Sequence, residues 1–168
     1  MTDQENESDA GQEVLAVVRA SAGRRVLGLG ALAALGILLI YVAFATPPTF
    51  LAQMFLIVVG GAAVWLADAM RRATANCVEL TETELRDSDG TVIARIEDIE
   101  GLDRGFFAFK PSNGFLIKVA RKSANHWRPG LWWRLGRRIG IGGVTPGNQT
   151  KVMSEILAVI IAKRDSGL

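Results

Sequence analysis

Twenty consecutive residues without a charge, Val26 to Ala45 (VLGLGALAALGILLIYVAFA), constrain this chain more than any other feature. As a helix rising about 1.5 Å per residue, such a run spans roughly 30 Å, the thickness of a bilayer's hydrocarbon core. Thr46, Pro47, Pro48 and Thr49 follow. Paired prolines break a helix, because each lacks an amide proton and clashes with the turn before it. A second apolar run, Phe50 to Ala67, has Gln53 as its one strongly polar residue and ends at Asp68, Arg71 and Arg72. The pattern predicts a hairpin of two transmembrane helices, 26–45 and 50–67, with an extracytoplasmic turn at 46–49 and a linker at 68–76.

Orientation follows from the bases. Arg19, Arg24 and Arg25 precede the first run, Arg71 and Arg72 follow the second, and the turn has none. The positive-inside rule then places both termini in the cytoplasm of an inner membrane. Gly36 and Gly60 are equidistant from Pro48, and with Gly30, Gly61 and Ala63 they suggest a small-residue seam where two helices approach closely, or where a membrane partner packs. No ionisable group lies mid-span, which argues against an ion pathway. A cleaved signal peptide ending near Ala43–Ala45 is the rival reading; the apolar run is long for that, and the leader is acidic.

Residues 1–13 hold Asp3, Glu5, Glu7, Asp9 and Glu13 and no base, so a disordered acidic tail is expected there. Glu13 to Ala22, within a juxtamembrane segment at 14–25, is expected as a short helix on the inner membrane surface. The remaining 77–168 is sized for one small domain. Its charges are segregated: nine acids against two bases from Glu79 to Asp103, then ten bases and no acid from Arg104 to Lys151. Such a field is read here as a statement about partners. Cys77 is the only cysteine, which excludes an intrachain disulfide and CxxC metal sites; a small buried residue is expected, with a redox or lipidated thiol as the alternative.

Short strands with turn signals fill Cys77 to Gly143. Asp89-Gly90 marks a hairpin between Leu85 and the run Thr91 to Ile96. Ile99 to Phe109 reads as a longer strand carrying Phe107 and Phe109 on one face. Ser112-Asn113-Gly114 is a turn before Phe115 to Ala120, and Arg137 to Gly142 is a last strand. Thr145-Pro146 and Asn148 supply helix-start chemistry. Val152, Met153, Ile156, Leu157, Ile160 and Ile161 then recur at helical spacing, one stripe fit to close the end of a small sheet or barrel.

The stretch ELTETELRDSDGTVIARIEDIEGL, the hairpin FKPSNGFLIKV, and RRIGI followed by a terminal helix resemble the bacterial pleckstrin-homology-like (PH-like) domains that follow a two-helix membrane hairpin. The resemblance covers roughly Cys77 to Lys163. It implies an α+β fold: an antiparallel β-barrel or sheet closed by a C-terminal amphipathic helix. It also implies a binding or scaffolding role without an agreed chemistry. The stretch Arg121 to Leu135 departs from a minimal strand hairpin, and no ligand residue carries over.

That stretch is the candidate site. RKSANHWRPGLWWRLGRR brings together Arg121, Lys122, Trp127, Arg128, Trp132, Trp133, Arg134, Arg137 and Arg138 with no acid. Bases are drawn to anionic headgroups, and indole rings favour both the membrane interface and protein interfaces. Three readings stand: a loop docking on anionic lipid, a contact surface for a membrane protein complex, or core tryptophans beneath a solvated basic face. Pro129-Gly130 predicts a loop or two short pieces. Nucleic acid needs the same composition, but the membrane tether argues against it. His126, the only histidine, has no acid in its local segment to orient it as a base. Gly140, Gly142 and Gly143 lack the GK[ST] of a phosphate loop, and Glu97-Asp98 reads as a solvated turn. The expectation is a non-enzymatic membrane module without metal or cofactor, with an accessory or assembly subunit as the alternative and a small membrane enzyme third.

Overall fold

The computed structural model describes residues 13–46, 48–103 and 111–167. The elements run β1 (Ala16–Arg19), α1 (Ala22–Ala45), α2 (Phe50–Ala73), β2 (Cys77–Leu80), β3 (Glu84–Asp87), β4 (Val92–Arg95), a 3-10 turn (Ile96–Asp98), β5 (Ile99–Asp103), β6 (Phe115–Val119), β7 (His126–Arg128), β8 (Trp132–Leu135), β9 (Arg138–Ile141) and α3 (Gly147–Asp165). The acidic tail falls outside the described residues except for Glu13, as do Phe107 and Phe109 of the expected long strand.

Both apolar helices form, each 24 residues long and able by length and composition to cross a membrane. They reach further toward the domain than the apolar runs alone. Gly36 and Gly60 meet where the helices cross: a Cβ on Gly36 would lie 2.7 Å from the Gly60 carbonyl oxygen, and one on Gly60 would lie 2.9 Å from that of Gly36. Ala63 is buried in the same seam. Gly30 and Gly61 are not part of it, since a side chain at either would point into open space. At the far turn the Gln53 amide donates to the Ala43 carbonyl at 3.0 Å, one of the carbonyls that the end of α1 leaves without a helical partner.

The segment before the hairpin is a strand, not the expected helix. β1 pairs antiparallel with β2 along its whole length, from Ala16 opposite Leu80 to Arg19 opposite Cys77. Val17 and Val18 are β-branched and favour extended backbone. Val18 is fully buried in the domain core. The domain therefore begins before the apolar hairpin, and α1–α2 is an insertion between two neighbouring strands.

Two antiparallel sheets result, ordered β1-β2-β3-β4 and β5-β6-β9-β8-β7. The expected hairpin at Asp89-Gly90 forms, with Gly90 at φ +87°. So does the turn at Asn113-Gly114, with Asn113 at φ +53°. The two sheets do not join through β4 and β7, so no closed barrel forms. Val78, Leu80, Leu85, Ile93, Phe115, Ile117, Leu131, Trp132, Ile139 and Ile141 fill the space between them, with Met153 and Leu157 of α3. Val152 does not join the expected helix stripe; it is half exposed. Thr145 does not cap α3 either: it is buried, and its hydroxyl has no partner among the described residues.

Neighbouring strands run in opposite directions, so each strand has one end toward the hairpin and one away from it. At its foot lie Arg19 and Cys77, the Ser88 amide bonded to the Cys77 carbonyl, and the Ser21 amide bonded to the Val144 carbonyl. Arg24 donates to the Thr145 carbonyl at 2.9 Å. Gly130 approaches Met70, Thr74 and Val144 closely there. At the opposite end are Glu84 opposite Arg95, Ile99 opposite Val119, Leu135 opposite Arg138, and Arg164, whose guanidinium donates to the Ile96 and Ile99 carbonyls.

The tryptophan-rich hairpin as candidate docking site

Arg121 to Arg138 forms the two short pieces expected, as strands β7 and β8, after an irregular stretch at 121–125. Pro129 sets the first turn position and Gly130, at φ +84°, takes the second, while the Leu131 amide donates to the Arg128 carbonyl at 3.1 Å. That is a type II turn, which needs a positive φ where Gly130 stands. β7 and β8 follow from it in the register His126–Arg134, Trp127–Trp133 and Arg128–Trp132. Alternation then sends His126, Arg128, Trp132 and Arg134 to one face and Trp127, Trp133 and Leu135 to the other.

The inner face corrects the reading of Trp132 as a binding residue. It is 1% exposed and belongs to the core. Its indole N–H donates to Asp87 Oδ2 at 2.8 Å, and the His126 ring stacks on it at 5.1 Å. Asp87 is itself fully buried, and Arg128 reaches both it, at 3.8 Å, and Asp89.

The segregated charges likewise meet across the fold. Arg137 pairs with Glu100 and donates to the Val119 carbonyl at 3.0 Å. Lys118 pairs with Glu100 at 2.9 Å, and Arg121 with Asp98 at 3.5 Å. Acids of residues 79–103 thus answer bases of residues 104–138, and much of the field serves the domain itself. Burial alone would raise the Asp89 carboxyl; hydrogen bonds from Thr91 and the charges of Arg128 and His126 outweigh it and hold the group below its usual range. Glu100 is also held low, first by its hydrogen bond from Lys118, against some desolvation and with help from Arg137. Burial lowers the Arg134 guanidinium, which has no ion pair among the described residues. Lys122 and Arg138 make none there either.

The outer face is different in kind. Trp127 is 56% exposed and Leu135 64%. The Trp133 indole lies across Gly140 of β9, where any side chain would displace it. Together with Pro111, Asn125, and the edges of His126 and Arg134, these residues line a mainly apolar groove of about 590 Å³. Position matters as much as chemistry. Arg121, Lys122, Arg134, Arg137 and Arg138 stand toward the end of the sheets away from the hairpin foot. A four-residue strand such as β8 covers ~13 Å, more than the ~8 Å Debye length at physiological ionic strength.

No acid hydrogen-bonds to His126 among the described residues, and no group of three potential metal ligands occurs there. Cys77 is buried, with its thiol 3.9 Å from Glu79 Oε1. Comparison with protein-family models, with curated proteins and with solved structures finds no match.

Proposed function

We propose that this chain is a two-span membrane protein whose PH-like domain lies at the cytoplasmic surface and docks a partner protein without doing chemistry on it. The surface is the outer face of β7–β8: Trp127, Trp133 and Leu135. One observation carries this reading. The apolar face is exposed and grooved, while the bases that would recognise headgroups are either paired internally or set at the far end of the domain. Exposed tryptophan on a rigid hairpin provides large contact area at little entropic cost, as interface anchors do.

Membrane insertion is supported by how little of the helices the chain covers. Only 11% and 17% of their most apolar windows is buried internally, whereas a helix in a soluble core would be largely enclosed. The arginines at the foot, Arg24, Arg25, Arg71 and Arg72, favour the cytoplasmic side for that end. An accessory or assembly subunit would use the same face, with a partner held in fixed stoichiometry.

Purification in mild detergent tests the docking face. A stoichiometric partner is expected with the wild-type chain, and its loss on joint Trp127→Ala and Leu135→Ala substitution. Retention of the partner by that variant would sink the reading. Headgroup recognition would be favoured instead if the chain in zwitterionic nanodiscs captured anionic vesicles, and lost them when Arg134, Arg137 and Arg138 became Ala.

A further inference from the structure

The gap between the two sheets, where the barrel fails to close, holds a second feature. Val92, Ala94 and Arg95 of β4 face Val119, Arg121, Lys122, Ser123 and Arg134 across a groove of about 300 Å³. Four cations line it against a single acid, Asp98, which Arg121 engages at 3.5 Å. Arg95 leans outward to Glu97 at 3.7 Å. Arg134 is the unusual member: its Nε is buried and has no hydrogen-bond partner among the described residues. A half-buried guanidinium with an unpartnered Nε and no counter-ion among the described residues has donors to spare, and a planar donor fork is matched best by an oxyanion.

We propose that this groove is an anion site for a phosphate group, with Arg134 as its floor, Arg121 and Lys122 as its rim and the Ser123 hydroxyl as a neutral donor. The groove lies toward the end of the sheets away from the hairpin foot, so its ligand arrives from the aqueous side. That favours free phosphate or a small soluble phosphate ester over a headgroup of the chain's own bilayer. Arg134 borders the Trp127–Trp133 groove as well, so the two grooves share one wall, while Arg121, Lys122 and Ser123 belong to this one alone.

The test titrates inorganic phosphate into the intact chain in neutral detergent, against chloride at equal ionic strength, and follows thermal unfolding and binding heat. Phosphate should raise the midpoint in a saturable way that chloride does not reproduce. Arg134→Gln should weaken binding about tenfold or more, the size expected for losing a hydrogen bond to a charged group. Because Arg134 is half buried, joint Arg121→Ala and Lys122→Ala substitution is the companion variant; both side chains are exposed, and it too should lose affinity with the fold intact. A phosphate effect no larger than that of chloride would overturn the proposal, as would binding undiminished in both variants. Protection by phosphatidic acid nanodiscs with no response to free phosphate would likewise overturn it and assign the groove to lipid.

Discussion

Trp132 and Trp127 are five residues apart, and opposite faces of one hairpin give them opposite fates. Trp132 is held in the core by Asp87, so its N–H matters as much as its ring. Trp132→Phe keeps most of the volume but leaves Asp87 Oδ2 without its donor, beside an Oδ1 that already has none. A buried acceptor left unsatisfied costs ~1–3 kcal/mol, which a shift in the urea midpoint of the full chain would report. Trp127→Phe, on the exposed face, should stay within about 0.5 kcal/mol of wild type. Equal losses from the two substitutions would refute the assignment of faces. Composition alone could not separate them, since three tryptophans among six bases look alike until a register is known. The register was accessible in part: Pro129-Gly130 names a turn type, and counting outward from it puts Trp127 and Trp133 on one side. The partner of Trp132 was not, because Asp87 stands 45 residues away and reads locally as part of an acidic surface.

Elements divide in the same way between what is local and what is not. The two long apolar helices, the Asp89-Gly90 hairpin and the C-terminal helix were readable because each is decided by its own residues: uncharged length, a glycine at positive φ, an apolar period. β1 was not, because Ala16-Val17-Val18-Arg19 is too short for periodicity to distinguish strand from helix, and its only pairing partner lies beyond the hairpin. The seam between the helices permits a direct test. At Gly36 even a single added carbon meets the Gly60 carbonyl and Val64, so Gly36→Leu must push α1 and α2 apart. Overpacking of this kind costs ~1–3 kcal/mol. Gly61→Leu, with nothing nearby on the outer side of α2, should leave the pair intact. Cysteine cross-linking between the helices, scored in both backgrounds, should fall only for Gly36→Leu; a comparable fall for Gly61→Leu would mean that a different face forms the contact.

At the scale of the whole molecule, an apolar hairpin inserted between paired strands is unlike a domain hung from a tether. A linker would let the domain tumble, whereas here both helix ends run directly into a ladder, with Arg19 opposite Cys77. Gly130, Val144, Met70 and Thr74 pack the junction from the side. Whatever binds the domain thus meets surfaces held in a set relation to the hairpin. The same connectivity makes the hairpin removable. Arg19 and Cys77 are antiparallel neighbours, so a short turn replacing residues 21–75 should join β1 to β2 as an ordinary hairpin does. That chain should be water-soluble, monomeric on gel filtration and show dispersed amide resonances. Residues 76–167 alone should instead aggregate or unfold. Without β1 the edge of β2 is bare, Val18 leaves a hole in the core, and α3 loses a strand on which it packs. A well-folded 76–167 would mean that β1 is dispensable, and that the hairpin is an anchor attached to a finished domain rather than a part set within it.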